Sequence, residues 1–138
     1  LTQASVDSGT IIWASFHLLA MRELLERARR FLREAEDDVR KEFFDLAAFH
    51  LEQALQLLLK YRLSEKVGYF SKTHSLSALV EEIGEIEPEL SRFLGENRRF
   101  VRELERAYIG ARYLPFQYGR EEVEELLGFV RRVFEGWG

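Results

Sequence analysis

The stretch Ala47–Leu63, AAFHLEQALQLLLKYRL, decides the fold. It reads as the heart of a helix running from about Lys41 to Leu63. Phe44, Ala47, Ala48, Leu51, Ala54, Leu55 and Leu58 recur at helical spacing and form one apolar face. Phe43, Leu46, Phe49 and Leu57 flank a second face that carries Glu52, Gln53, Gln56 and Lys60. A helix apolar on nearly two sides belongs at the centre of a bundle or in a dimer interface. Its surplus apolar surface predicts a homodimer.

Working outward, residues 64–73 (SEKVGYFSKT) read as a loop around Gly68, closing on Thr73-His74-Ser75-Leu76. Thr73 is the expected cap of a short third helix that carries Leu76, Leu79, Val80 and Ile83 and ends at Gly84. Upstream, Met21, Leu24, Leu25, Ala28, Phe31, Leu32, Ala35 and Val39 form a three–four stripe, continued backward by Leu18, Ala14 and Ile11. This predicts a first helix from near Thr10, breaking at the poor helix formers Asp37-Asp38. Downstream, Pro88 opens a fourth helical region as a first-turn residue, with a hesitation expected at Gly95. Phe100, Val101, Leu104, Ala107, Tyr108 and Ala111 then give it a core face up to about Tyr113. Pro115 and Gly119 punctuate a loop before a last helix with Val123, Leu126, Leu127, Val130, Val133 and Phe134, fraying at Gly136-Trp137-Gly138. No strand pattern or repeat interrupts this. The expected fold is an all-α, up-and-down bundle of four or five helices, with Ala47, Leu51, Ala54, Leu55, Leu58, Leu104 and Val130 buried.

The bulk numbers bound the function. At 138 residues, 46% hydrophobic and 32% charged, the chain has the make-up of one ordinary globular domain. The absence of cysteine excludes disulfides and Cys-based zinc sites. A net charge of −4 argues against wholesale binding of a polyanion, while leaving room for a local basic patch. Arginine outnumbers lysine sixteen to four and Asn occurs once, a composition that fits a thermophile or, equally, a GC-rich genome. Residues 1–20 contain no Lys or Arg, so the apolar run Ile11–Ala20 lacks the basic start of a secretory signal. No segment approaches the ~20 unbroken apolar residues of a membrane span, and the expected location is cytoplasmic. The only Met is Met21, where the ideal amphipathic pattern begins. Residues 1–20 are therefore read as an N-terminal extension, natural or added upstream, and 21–138 as the domain.

Chemistry-bearing residues are few. His17, His50 and His74 share no metal-pair spacing, no His-Glu-x-x-His occurs, and no glycine-rich phosphate loop is present, so neither metal nor cofactor is expected. For each histidine the plain reading is a polar tip packed on a helix. The fourth helical region holds more. On a helical wheel Arg98, Arg102, Arg106 and Arg112 fall within about 120° of one another, with Arg99 at the edge. With Tyr108 and Tyr113 nearby, such arginines can hold phosphates while the rings stack bases. The alternative is a solvated outer face neutralised by Glu103 and Glu105.

An apolar helix with a Glu52-Gln53-Ala54 core and a terminal Lys60, then a loop closing on Thr73-His74-Ser75-Leu76, resembles the HEPN family of small helical bundles. The resemblance spans roughly residues 21–135. It implies a link to nucleotides and RNA, either as a ribonuclease or as the partner of a minimal nucleotidyltransferase. It also implies a pair of protomers with a functional cleft near the dimer axis. Catalytic members carry an Arg followed, after four to six residues, by a His. Arg112 is similar to that Arg, but the three permitted His positions hold Gln117, Tyr118 and Gly119, and no other Arg precedes a His at that spacing. Without the imidazole, the acid–base partner for phosphodiester cleavage is missing. Ala111-Arg112-Tyr113-Leu114-Pro115 looks instead like the Arg-Tyr-Pro variant encoded beside nucleotidyltransferases, with Leu114 inserted. The resemblance thus implies a non-catalytic nucleotide- or RNA-binding module. Its site would hold Arg112 and Tyr113, helped by Tyr108, Lys60 and His74 and by the stripe Arg98, Arg102 and Arg106. Two alternatives stand: a ribonuclease toxin in which Tyr118 or His74 replaces the missing His, and a purely structural homodimer.

Overall fold

In the computed structural model, the description covers residues 8–113 and 118–138, with side chains over 8–110 and 118–138. Six helices follow one another: α1 (Ser8–Arg40), α2 (Phe44–Val67), α3 (Leu76–Gly84), α4 (Pro88–Glu96), α5 (Arg98–Tyr113) and α6 (Arg120–Trp137). Among the described residues there is no strand. The fold is an all-α bundle. It has six helices rather than four or five because the fourth region breaks in two. The break falls at Asn97, not Gly95. Asn97 turns its amide back to cap α4, with Nδ2 donating to Phe93 O at 2.9 Å and its backbone N–H reaching Phe93 and Leu94 carbonyls. Asn97 O then accepts from Phe100 N to start α5.

α2 is the central helix, packing against α1, α3, α5 and α6. Its predicted apolar face is fully buried from Ala47 to Leu58, as are Leu104 of α5 and Val130 of α6. Of the polar positions of its second face, Glu52, Gln56 and Lys60 are also buried, under α5, α3 and the loop 68–75, and Gln53 is half-buried. α2 is longer than expected. The SEKV stretch stays helical to Val67, and Gly68 ends it in the left-handed region (φ 78°), donating to Ser64 O.

α1 and α2 form a hairpin joined by residues 41–43. Asp37-Asp38 does not break α1. Asp38 is a buried helical residue whose Oδ2 lies 2.5 Å from His50 Nδ1 on α2, and that partner holds it in the helix. The turn comes three residues later, with Glu42 at φ 62°. α1 outruns α2 by nine residues (33 against 24). Its first turns project past the end of α2. Ile11 and Leu18, expected to continue the core stripe, are exposed, together with Ile12, Trp13, Phe16 and Leu19. His17, stacked on Trp13 and tilted against Phe70, marks where α1 leaves the bundle. Much of the surplus apolar surface therefore lies on α1; at the start of α2 Phe43 and Leu46 are also exposed, while Phe49 and Leu57 are half-buried.

The far end of the bundle is closed by Arg62. Its guanidinium forks onto Glu87 (Nε to Oε2 2.8 Å), and Nη1 reaches Trp137 O. The bond to Glu87 holds the Arg62 pKa above its ordinary value. Trp137, expected in a frayed tail, is the last residue of α6 and packs on Phe93. None of the described helices is long and apolar enough to cross a membrane.

Candidate functional site

A cleft of about 560 Å³ opens where α5 passes the middle of α2 and the start of α3. Helical spacing on α5 brings Arg102, Glu105, Arg106 and Ile109 into one row, with Tyr108 beside it. α2 contributes Glu52 to the opposite wall, and the loop before α3 contributes His74 and Ser75. Tyr108 is half-buried, its ring backed by Phe49 at 6.2 Å.

Glu105 fixes the α3 wall. Its Oε1 accepts from Ser77 N at 2.9 Å and Ser75 Oγ at 3.2 Å, and its Oε2 from Ser77 Oγ at 2.7 Å. A carboxylate on the first backbone N–H groups of a helix is well placed against the helix dipole. Ser75 is the true cap of α3, its Oγ accepting from Ala78 N at 3.2 Å. Thr73, the predicted cap, accepts from Ser75 N one step earlier. Because Glu105 is engaged at α3, it forms no ion pair with the stripe. Arg106 pairs with Glu103 at 2.9 Å and Arg99 with Glu125 at 3.9 Å. No described carboxylate lies within ion-pair distance of Arg102 or Arg98. Arg102 also borders a neighbouring hollow of about 500 Å³ between α3, α4 and α5, which Arg98 shares. The two depressions thus run together past Arg102.

Behind the cleft lies a polar chain that starts at Glu52, Gln53 and Gln56, placed by the sequence on one helix face with no site role. Glu52 is 0% exposed, and both its oxygens accept amide protons: Oε1 from Gln53 Nε2 at 2.6 Å, Oε2 from Gln56 Nε2 at 3.0 Å. Burial pushes its carboxyl up to about 7, the two amide bonds pull it back, Glu105 adds to the rise and Lys60 opposes it. Gln56 continues the chain to His74, whose Nδ1 sits 3.2 Å from Gln56 Oε1. Since Gln56 Nε2 donates to Glu52, Gln56 Oε1 is the acceptor, and neutral His74 donates through Nδ1 and keeps Nε2 as an acceptor. The sequence signal for this chain was a Glu in an apolar helix followed by Gln at one and four residues.

The predicted site residues separate into groups. Tyr108, His74, Arg102 and Arg106 come together in the cleft, and Arg98 lies in the adjoining hollow. Lys60 does not join them. It lies two turns along α2 from Glu52, beneath Phe70 and Ser71 of the loop, and lines a separate cavity. The loop 68–75 divides the two, with its start over Lys60 and its end on the cleft. Tyr118 is also elsewhere, lining a hollow with Arg99, Phe100, Glu103 and Glu122. Burial and these neighbouring carboxylates raise its phenol pKa above the ordinary value, which makes it a poor proton acceptor at neutral pH. Arg112 and Tyr113 close α5, and their side chains lie outside the described residues. Among the described residues no three His, Asp or Glu side chains gather as a metal site would.

A family model for the HEPN domain matches residues 21–136. The chain belongs to the HEPN domain family. Comparison of this HEPN chain with solved structures finds TT1696 from Thermus thermophilus, at a TM-score of 0.65 and 25% identity. The likeness covers 83% of this chain and 93% of that one. A search of curated proteins finds no match. The HEPN match begins at Met21, whereas α1 of this HEPN protein runs without a break from Ser8.

Proposed function

We propose that the cleft binds the phosphate and base of a nucleotide or RNA segment, and that the protein is a non-catalytic HEPN module paired with a separately encoded nucleotidyltransferase. Arg102 carries this reading. It is a guanidinium with no described carboxylate in ion-pair distance, in a cleft that also presents Tyr108 and Arg106. Such a fork takes a phosphate in two parallel bonds, and an aromatic edge beside it suits a base. Arg112 belongs to the same proposal, since position 112 follows Glu105 by two helical turns on α5. Tyr113 is its proposed stacking neighbour. Arg98 would extend the phosphate track. Lack of cleavage is supported by the sequence, in which no Arg precedes a His at the family's catalytic spacing.

We further take 21–138 as the functional domain and the homodimer as its working form. The exposed Phe43 and Leu46 supply apolar surface for association within that domain, and Ile11, Trp13, Phe16 and Leu19 add more ahead of it. Sedimentation at tens of micromolar should give a dimer, the range in which a working interface persists; a monomer there would sink the homodimer.

A second reading, RNA cleavage, is favoured by one observation. His74 keeps Nε2 as an acceptor within the same cleft as Arg102. One experiment separates the two. Purified protein incubated with single-stranded RNA should leave it intact yet bind it. Arg102→Ala and Arg112→Ala should each weaken binding by the ~1.5–3 kcal/mol of a charge-assisted bond without lowering the melting temperature. Cleavage lost in His74→Ala would establish the second reading; unchanged RNA and partner binding in both arginine variants would remove the first.

A further inference from the structure

The cavity that Lys60 lines is a second site of different chemistry. It occupies about 310 Å³ between α1, α2 and the start of the loop 68–75. Ala20, Leu24, Leu57 and Phe70 make its walls apolar, and Arg27 stands at its rim. Lys60 is only 8% exposed, and what it exposes faces this space. Among the described residues no hydrogen bond or ion pair reaches its ammonium, which is not sealed from water and feels Glu52 and Glu82 through space. The nearby carboxylates do not pair with it. Glu23 on the wall is engaged by Arg30 at 2.8 Å and Arg27 at 3.5 Å. Glu82 takes a bond from Ser71 at 3.5 Å and leaves its buried Oε2 without a partner.

We propose that this cavity binds a small organic anion, an aryl or short acyl carboxylate, with its head on Lys60 and its body against Leu24, Leu57 and Phe70. An ammonium on a mostly buried stem, opening into an apolar cavity, gains more from an anionic acceptor than a fully exposed lysine does. The apolar walls reward a hydrocarbon body, and the space is at the small end of ligand cavities. Arg27, more than half exposed, adds a second positive charge at the entrance. Burial also lowers the Lys60 pKa, against the pull of Glu52 and Glu82, so an arriving carboxylate reinforces the charged form. The site does not depend on the reading of the cleft.

The test is titration of the full chain at pH 7 with phenylacetate, benzoate and hexanoate, and with phenylacetamide as the neutral isostere, followed by amide NMR shifts and calorimetry. The carboxylates should bind saturably with shifts centred on Leu24, Leu57 and Phe70, and roughly tenfold or more tighter than the amide. Lys60→Met keeps the stem and removes the charge, and should bring the carboxylates down to the amide's affinity. Leu57→Trp keeps Lys60 but fills the space, and should abolish binding of both, which decides the matter if Lys60→Met does not fold. Equal affinity for carboxylate and amide overturns the proposal. So do failure of all the carboxylates to bind, as expected if Lys60 closes on Glu82, and unchanged binding in Leu57→Trp.

Discussion

α2 buries two faces that differ in everything but exposure. One is aliphatic: Leu51, Ala54, Leu55 and Leu58 are all 0% exposed. The other is polar, with Glu52, Gln56 and Lys60 at 0, 3 and 8%. The first face needs only water to be removed, at roughly 25 cal/mol per Å² of apolar surface. The second must replace every bond that water made, or carry the cost of the shortfall. It does so unevenly. Glu52 and Gln56 satisfy each other and His74, while Lys60 is left without an acceptor. A bundle built for stability alone would place leucines at 52, 56 and 60. This one places polar groups there, each bordering an open space or wired to one, and both proposed sites rest on them.

That contrast can be broken experimentally, and the largest effect lies on the aliphatic face. Leu55→Ala should cost ~2–5 kcal/mol of unfolding free energy, because the surrounding helices cannot close over the lost volume. Denaturant titration would show it, and a cost below ~1 kcal/mol would mean that the face is loosely packed.

On the polar face the sign should reverse. The folded protein holds the Glu52 proton up to about pH 7, against an ordinary value of 4.5. Between those limits the folded state binds more protons than the unfolded chain, so this group's contribution to stability is present below pH 4.5 and is lost as pH rises through about 7. Glu52→Gln should therefore stabilise the protein at pH 8 by up to ~3 kcal/mol, with the gain shrinking towards pH 4.5. A pH-independent difference between the two proteins would show that Glu52 ionises freely.

A further step down in size is the cleft's own chemistry. RNA affinity should fall by ~1.5–3 kcal/mol in Arg102→Ala and less in Arg106→Ala, which loses an arginine already paired with Glu103. Equal losses would place both arginines on phosphates. Smallest of all, Ser75→Ala should cost ~0.5–2 kcal/mol by uncapping α3. It should do so without affecting the aliphatic face, and near-UV circular dichroism and melting would show whether the cleft wall loosens separately from the core.

The helices themselves were legible in the sequence because periodic burial leaves a periodic pattern. The stripe through Leu51, Leu55 and Leu58 needs no partner to be recognised, and neither does Pro88 at the start of α4. The family was legible too, from Glu52-Gln53-Ala54 through Lys60 to Thr73-His74, and so was the row of Arg102 and Arg106 on α5, whereas Tyr108, read as part of the core face, reaches the cleft from the edge of that face. Boundaries were less so. Asp38 looked like a helix breaker because propensity is blind to His50, twelve residues on and 2.5 Å away. Ile11 and Leu18 looked like core because a stripe records which way a helix faces, not whether anything lies opposite. Only the tertiary structure decided that α1 outruns its partner there. It alone turned Glu105 to the end of α3, leaving Arg102 unneutralised, and laid the loop 68–75 across α2 so that Lys60 and His74 face different spaces. Local sequence determines what each helix can bury. What it does bury depends on contacts between residues far apart in the chain, and no spacing along α2 or α5 encodes them.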